Sequence, residues 1–168
     1  TGIPLLKEWN YNRYKKLESN LDTENGCIFA NYNNVLEYGY GYAANPKALR
    51  VSLSDNINNA GTEPASKSHS PIIGFAYDGN PIYGAFGYED PLDSSSSIIR
   101  MTSSYSINGS RSNGPSLSAY PIGTFVNDYT YTHKSGTLDQ NNGRFCITPE
   151  FPKGTYAYFI TIDSNQVP

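Results

Sequence analysis

The stretch from His69 to Tyr88, HSPIIGFAYDGNPIYGAFGY, constrains the fold more than any other part of the chain. Its apolar run, Pro71 to Tyr77, is only about seven residues long between breakers, which fits a buried strand better than a helix. Asp78-Gly79-Asn80-Pro81 is a turn: Gly79 accepts a positive φ, and Pro81 drives Asn80 out of the helical region. Ile82 and Tyr83 then resume an extended path. Gly84 and Gly87 leave Phe86 and Tyr88 room to fold onto a neighbouring surface, or let another backbone come close. This reading places Ile72, Ile73, Phe75, Ile82 and Tyr83 in the core. It makes Asp78 the side-chain cap of its own turn and His69 a hydrogen-bonded turn residue.

The rest of the chain extends the same pattern of short strands and turns. Leu49, Val51 and Leu53 alternate within Lys47 to Leu53, as do Cys27 and Phe29, and later Tyr38, Tyr40 and Tyr42. Each has the period of a strand. Asp128 to His133 alternates strictly, with His133 on an exposed strand, and Phe145 to Ile147 forms another short strand. Thr155 to Ile162, TYAYFITI, is apolar on both sides, which predicts a central strand. Ile98 to Met101 starts a short strand or turn, whereas 103–118 is too rich in Ser, Asn and Gly for much regular structure. The polar segment 55–70 reads as a surface loop. One short helix is expected, at Asn12 to Ser19, with Arg13, Lys15 and Lys16 on a solvated face. The expected fold is therefore mainly β: a single compact domain of short antiparallel strands with long loops, sandwich- or barrel-like, with α+β as the alternative. Residues 1–20 form an arm or short helix and 21–168 the β-rich domain.

Length and charge narrow the function. A chain of 168 residues is the size of one domain. Its 15 Tyr, with abundant Asn, Ser and Gly, match the composition of adhesive and recognition surfaces. A net charge of −3 offers no footprint for nucleic acid. No run approaches the length of a membrane span. The sequence starts without Met, so it is expected to be a domain of a longer polypeptide. Cys27 and Cys146 are either a disulfide or two buried thiols. Asn108-Gly109-Ser110 is formally a glycosylation sequon.

Two segments echo each other. Leu21-Asp22-Thr23-Glu24-Asn25-Gly26 leads to Cys27 and then Tyr40-Gly41-Tyr42; Leu138-Asp139-Gln140-Asn141-Asn142-Gly143 leads to Cys146 and then Tyr156-Ala157-Tyr158. The shared form, LDxxNG followed by a cysteine and Y-x-Y, predicts two related turn-strand units with Asp22 and Asp139 in equivalent places.

HSPIIGFAYDGNPIYG together with LDQNNGRFCITPEFPKGTYAYF resembles the YHYH-domain family, over roughly Asp22 to Ile162. The resemblance is to the form found in structural proteins of tailed, marine cyanophage-like bacteriophages. It implies a non-enzymatic virion domain, at the tail or fibre, for assembly or for attachment to a host-surface glycan. The implied partners are other virion proteins and further copies of itself. The namesake Tyr-His-Tyr-His segment reads Tyr40-Gly41-Tyr42-Ala43 here, so both histidines are missing, at Gly41 and Ala43. Two imidazoles two residues apart on a strand lie about 7 Å from each other between Cα atoms and could share a metal. Gly and Ala cannot, and no cofactor is expected.

The family-motif polar residues are His69, Asp78, Asp22, Asp139 and Tyr83. Convergence of the three aspartates would make a carboxylate hydrolase or a calcium site, and this is the enzymatic alternative. A nucleophile elbow and a phosphate-cradling glycine loop are both missing. A secreted or cell-surface bacterial domain is the alternative location.

Overall fold

The computed structural model describes residues 8–31, 37–65, 67–165 and 168, and of residues 29–31, 37 and 38 the backbone alone. In chain order the elements are α1 (Arg13–Leu17), β1 (Gly26–Asn31), β2 (Glu37–Tyr42), α2 (Lys47–Ser52), β3 (Ile72–Phe75), β4 (Pro81–Tyr83), β5 (Phe86–Tyr88), β6 (Ile98–Arg100), β7 (Tyr105–Ile107), β8 (Tyr129–Tyr131), β9 (Gly143–Cys146) and β10 (Thr155–Phe159). The protein is mainly β with a minor helix near the N-terminus. It divides into two compact units, Thr1–Ala44 with Tyr105–Thr132 and Asn45–Ser104 with His133–Pro168.

In the first unit, Asn12 caps α1 by accepting from the Lys15 N–H. Arg13, Lys15 and Lys16 on that helix are exposed. β1 and β2 pair antiparallel from Gly26↔Tyr42 to Asn31↔Glu37, and β7 pairs with β8 from Tyr105↔Tyr131 to Ile107↔Tyr129. Phe125 is fully buried. Trp9 meets it edge-on at 5.6 Å, with Tyr11 at 4.9 Å and Tyr120 at 5.4 Å. The chain entry is tied to the same place, because Asn12 N–H donates to the Thr124 carbonyl at 2.8 Å and Val126 N–H to Asn10 at 2.7 Å. Beneath lies a buried ion pair. Arg111 donates through Nε and Nη2 to both oxygens of Asp128, at 2.7 and 2.6 Å, and Asp128 also accepts from the N–H groups of Gly123 and Phe125. A buried charge pair needs that many partners to offset its desolvation.

The second unit is built on the sheet β3-β4-β10-β9. β10 is the interior strand the sequence implied, parallel to β4 through Tyr158↔Ile82 and antiparallel to β9 through Tyr156↔Phe145 and Tyr158↔Gly143. One face of it joins Tyr83, Met101, Leu138, Cys146, Ala157 and Phe159 in a core, with Ile72 and Ile99 packed against it. A smaller cluster gathers Ala85, Phe86 and Ile162.

Several expectations are corrected. Lys47 to Leu53 is not a strand: Lys47–Ser52 is helical and Leu53 closes its end. The spacing Leu49 to Leu53 also fits one helical turn, and Ala, Leu and Arg favour helix. The helix carries Arg50 into a buried cluster, where it donates to Asp55 at 2.5 Å and to Asn45 at 2.9 Å. Phe75 is 64 % exposed, not core. Phe75 is the last residue of β3, the edge strand of its sheet, so no further strand covers it; β3 also shifts register against β4 between Ile72 and Gly74. Ile72, Ile73 and Ile82 are half-buried, and only Tyr83 of that set is fully buried. Within 103–118, Tyr105–Ile107 is a strand. The alternating run Asp128 to His133 is a strand only over Tyr129–Tyr131, and His133 lies beyond it, exposed. Segment 55–70 is a loop anchored by buried ends, Asp55, Asn56 and Ile57 on one side and Ser70 on the other.

Candidate functional site

The echo in the sequence is a repeat in the structure, down to single hydrogen bonds. In the first unit the Asp22 carboxylate closes its turn by accepting from the N–H groups of Glu24 and Gly26, each at 2.9 Å, while its other oxygen accepts the Tyr40 hydroxyl at 2.6 Å. Asn25 sits at φ 59°, a left-handed position that Asn tolerates. A Cβ on Gly26 would overlap the Tyr40 hydroxyl, so any larger residue there displaces that hydroxyl from its place beside Asp22. The register Ile28↔Tyr40 and Gly26↔Tyr42 puts Ile28, Tyr40 and Tyr42 on one face. They are 70, 56 and 43 % exposed. The two tyrosine rings meet edge-on at 5.6 Å.

The second unit repeats the turn, the register and the ring contact, with Tyr156 and Tyr158 half-buried where Tyr40 and Tyr42 are exposed. Asp139 accepts from the N–H groups of Asn141 at 2.8 Å and Gly143 at 3.2 Å, and takes the Tyr156 hydroxyl at 2.6 Å. Asn142 has φ 55°. A Cβ on Gly143 would lie 2.6 Å from the Tyr156 hydroxyl. The register Phe145↔Tyr156 and Gly143↔Tyr158 sets Phe145, 59 % exposed, in the place of Ile28. Tyr156 and Tyr158 meet edge-on at 5.2 Å. Each copy thus presents two tyrosines and one apolar side chain on an outward face, held by a carboxylate at the turn. We call this arrangement a platform.

Electrostatics follow from the hydrogen bonds. The Tyr40 hydroxyl, with the Gly26 N–H, holds the Asp22 carboxyl below its ordinary value, and in return Tyr40 is pushed up to about 12. At Asp139 burial pulls upward, but Tyr156 and two backbone N–H groups outweigh it, so the carboxyl stays low. Burial first, and then Asp139, push Tyr156 up to about 12.

The remaining sequence candidates sort by unit. Asp78 does cap its turn, accepting the Asn80 N–H at 3.0 Å, and it also takes the Tyr158 hydroxyl at 2.6 Å. That bond lowers the Asp78 carboxyl. It also pins the hairpin tip on which Tyr77 stands wholly exposed. His69 is half-buried among aromatic rings, 5.0 Å from Tyr83, 4.9 Å from Tyr88 and 6.0 Å from Phe159. Its Nδ1 lies 2.8 Å from the Ser70 carbonyl, and its Nε2 is buried with no hydrogen-bond partner. Burial lowers its pKa. The Tyr83 hydroxyl donates to the Glu150 carboxylate at 2.9 Å and lies 2.8 Å from the Thr148 hydroxyl.

Cys27 and Cys146 are free thiols, Cys27 half-buried and Cys146 buried. They do not occupy equivalent places: Cys27 directly follows Gly26, whereas Arg144 directly follows Gly143. Gly41 and Ala43 match Ala157 and Phe159 of the second copy, since the Ala43 N–H donates to Asn25 at 2.9 Å as the Phe159 N–H donates to Asn142 at 3.2 Å. In that copy both positions face the core.

Sequence reasoning did not mark Ile28 and Phe145 as surface groups, although they hold matching positions in the two pairings. It also missed the buried cluster in which Asp55 accepts from Arg50, from Asn56 and, at 2.6 Å, from the Ser70 hydroxyl. Ser70 is buried and also accepts the Phe86 N–H, so it is a structural linker between loops. Among the described residues no three of His, Cys, Asp and Glu come together as a metal site, and no helix is long and apolar enough to cross a membrane.

A model of the family described as YHYH protein matches residues 7–168. No curated protein and no solved structure matches the chain.

Proposed function

This chain belongs to the YHYH protein family, and on that premise we propose that it is a non-enzymatic attachment domain of a tailed-phage virion, at the tail or fibre, that binds a glycan of the host surface. The observation that carries this reading is the presentation of aromatic rings on a rigid frame. Tyr77 is wholly exposed on a tip that the Asp78 to Tyr158 bond holds in place. Rigid, solvent-facing tyrosines offer large contact area at low entropic cost, and sugar rings stack on them. Weak single contacts suffice when many copies act together on one particle, so the domain is expected to assemble with itself and with other virion proteins.

Binding of the purified protein to an array of bacterial surface glycans tests this directly. We expect retention of a subset of glycans, weakened about tenfold by Tyr77→Ala. Absence of binding to every glycan and to host cells would overturn the attachment role, and cleavage of the bound glycan would overturn the non-enzymatic one. Mass spectrometry of purified particles tests the location, with recovery of this chain as the expected result; recovery only from secreted or cell-surface fractions would contradict it.

A further inference from the structure

Resting on the glycan reading above, we infer that the protein carries two equivalent sugar platforms, one in each unit, and that both select uncharged, hydroxyl-rich saccharides over acidic ones. The first is formed by Ile28, Tyr40 and Tyr42 beside Asp22, the second by Phe145, Tyr156 and Tyr158 beside Asp139. Two independent observations support their equivalence. The register is the same, with the apolar residue opposite the first tyrosine and the turn glycine opposite the second. The carboxylate geometry is also the same, 2.6 Å to the tyrosine hydroxyl in both. A repeat kept only to close a turn would need the aspartate and the glycine. It would not need an exposed apolar side chain on the same face as two tyrosine rings in each copy, yet Ile28 is 70 % and Phe145 59 % exposed.

The chemistry of the rim sets the class of ligand. Tyr–Asp pairs leave carboxylate lone pairs that accept from sugar hydroxyls, and the ring pair offers a surface on which the C–H face of a pyranose stacks. The same fixed negative charge repels a sialic or uronic acid brought into contact with it. The second platform has an additional carboxylate, because Asp78 takes the Tyr158 hydroxyl, so its discrimination against acidic sugars is the stronger of the two.

Titration of the whole protein, with ¹³C-labelled tyrosine rings, by a neutral oligosaccharide tests this by NMR. The expected result is parallel shifts of Tyr40 and Tyr42 and of Tyr156 and Tyr158. Tyr42→Ala abolishes the first set alone and Tyr158→Ala the second alone. Ile28→Asp and Phe145→Asp, which leave both Tyr–Asp hydrogen bonds in place, weaken the same sets about tenfold. A sialylated analogue of equal length shifts either set at least tenfold less readily. Shifts confined to one set, with glycan retention intact, would overturn the two-platform inference and leave the attachment role standing, as would equal or tighter binding of the acidic sugar for the selectivity. A protein that retains no glycan of any kind overturns both.

Discussion

Tyr156 donates a hydrogen bond from its hydroxyl to the carboxylate of Asp139 at 2.6 Å, across a separation of 17 residues. One side chain thereby joins the turn before β9 to the middle of β10. Asp139→Ala removes the acceptor for two backbone N–H groups and leaves the Tyr156 hydroxyl without its partner. The expected loss is about 1–2 kcal/mol, toward the lower end for hydrogen bonds to charge because the site is partly exposed. Asp22→Ala makes the same change at a more exposed site, so its loss is smaller. Urea denaturation of the two variants checks the order, and an equal or reversed order would contradict it.

The buried pair Arg50 and Asp55 behaves differently. Both side chains are fully removed from solvent, so Asp55→Ala leaves an uncompensated guanidinium and is expected to cost about 3–5 kcal/mol. Gly84→Ala strikes the same cluster, because a Cβ there would overlap the Asp55 carboxylate and lie 2.7 Å from the Ser70 hydroxyl. Both variants are expected to lower the urea midpoint without changing glycan binding per folded molecule.

How much of this was legible beforehand depends on whether the information was local. The interior position of β10, the Asp78 turn and the Asp22/Asp139 repeat could all be read, because alternation and turn chemistry are set by neighbouring residues. Two misreadings came from a segment that fits two periods and from a residue at the end of an edge strand. Seven residues from Lys47 to Leu53 satisfy strand and helix periods alike, and what decides between them is the burial of Arg50 against Asn45 and Asp55. Phe75 alternates correctly along its own strand, but it closes β3 at the edge of the sheet, and which strand lies at an edge is set by pairings that alternation does not reveal. The Arg111 to Asp128 pair left no local trace either.

His69 tests whether the motif histidine has a chemical or a packing role. Its ring lies against Tyr83, Tyr88 and Phe159, and its Nε2 has no partner. His69→Phe keeps the ring and removes a buried unsatisfied atom, so the melting temperature is expected to stay within a few degrees or rise. His69→Ala opens a cavity and is expected to cost about 3 kcal/mol. A His69→Phe variant that folds normally but loses glycan binding would assign the imidazole a direct role in recognition.

The Tyr–Asp pairs also predict a stability profile with pH. Asp22, Asp78 and Asp139 have folded values below the ordinary 3.8, so their contribution is present above that value and is lost as pH falls through the lower, folded one. Tyr40 and Tyr156 are raised from 10.0 to about 12, so their contribution is full below pH 10 and is lost as pH climbs toward 12. The part of the melting-temperature profile due to these groups is expected to be flat from about pH 4 to 10 and to fall at either end. Tyr156→Phe lowers the plateau and makes the alkaline fall shallower. An unchanged alkaline slope in that variant would contradict the pairing.

Affinity electrophoresis through gels containing a neutral host polysaccharide tests the attachment role most directly. The wild-type protein is expected to be retarded in proportion to polysaccharide concentration, and the Tyr42→Ala/Tyr158→Ala double variant, run below its own melting temperature so that it is folded, to migrate as in an empty gel. Equal retardation of the two proteins, or none of the wild type with any host polysaccharide, would contradict the account.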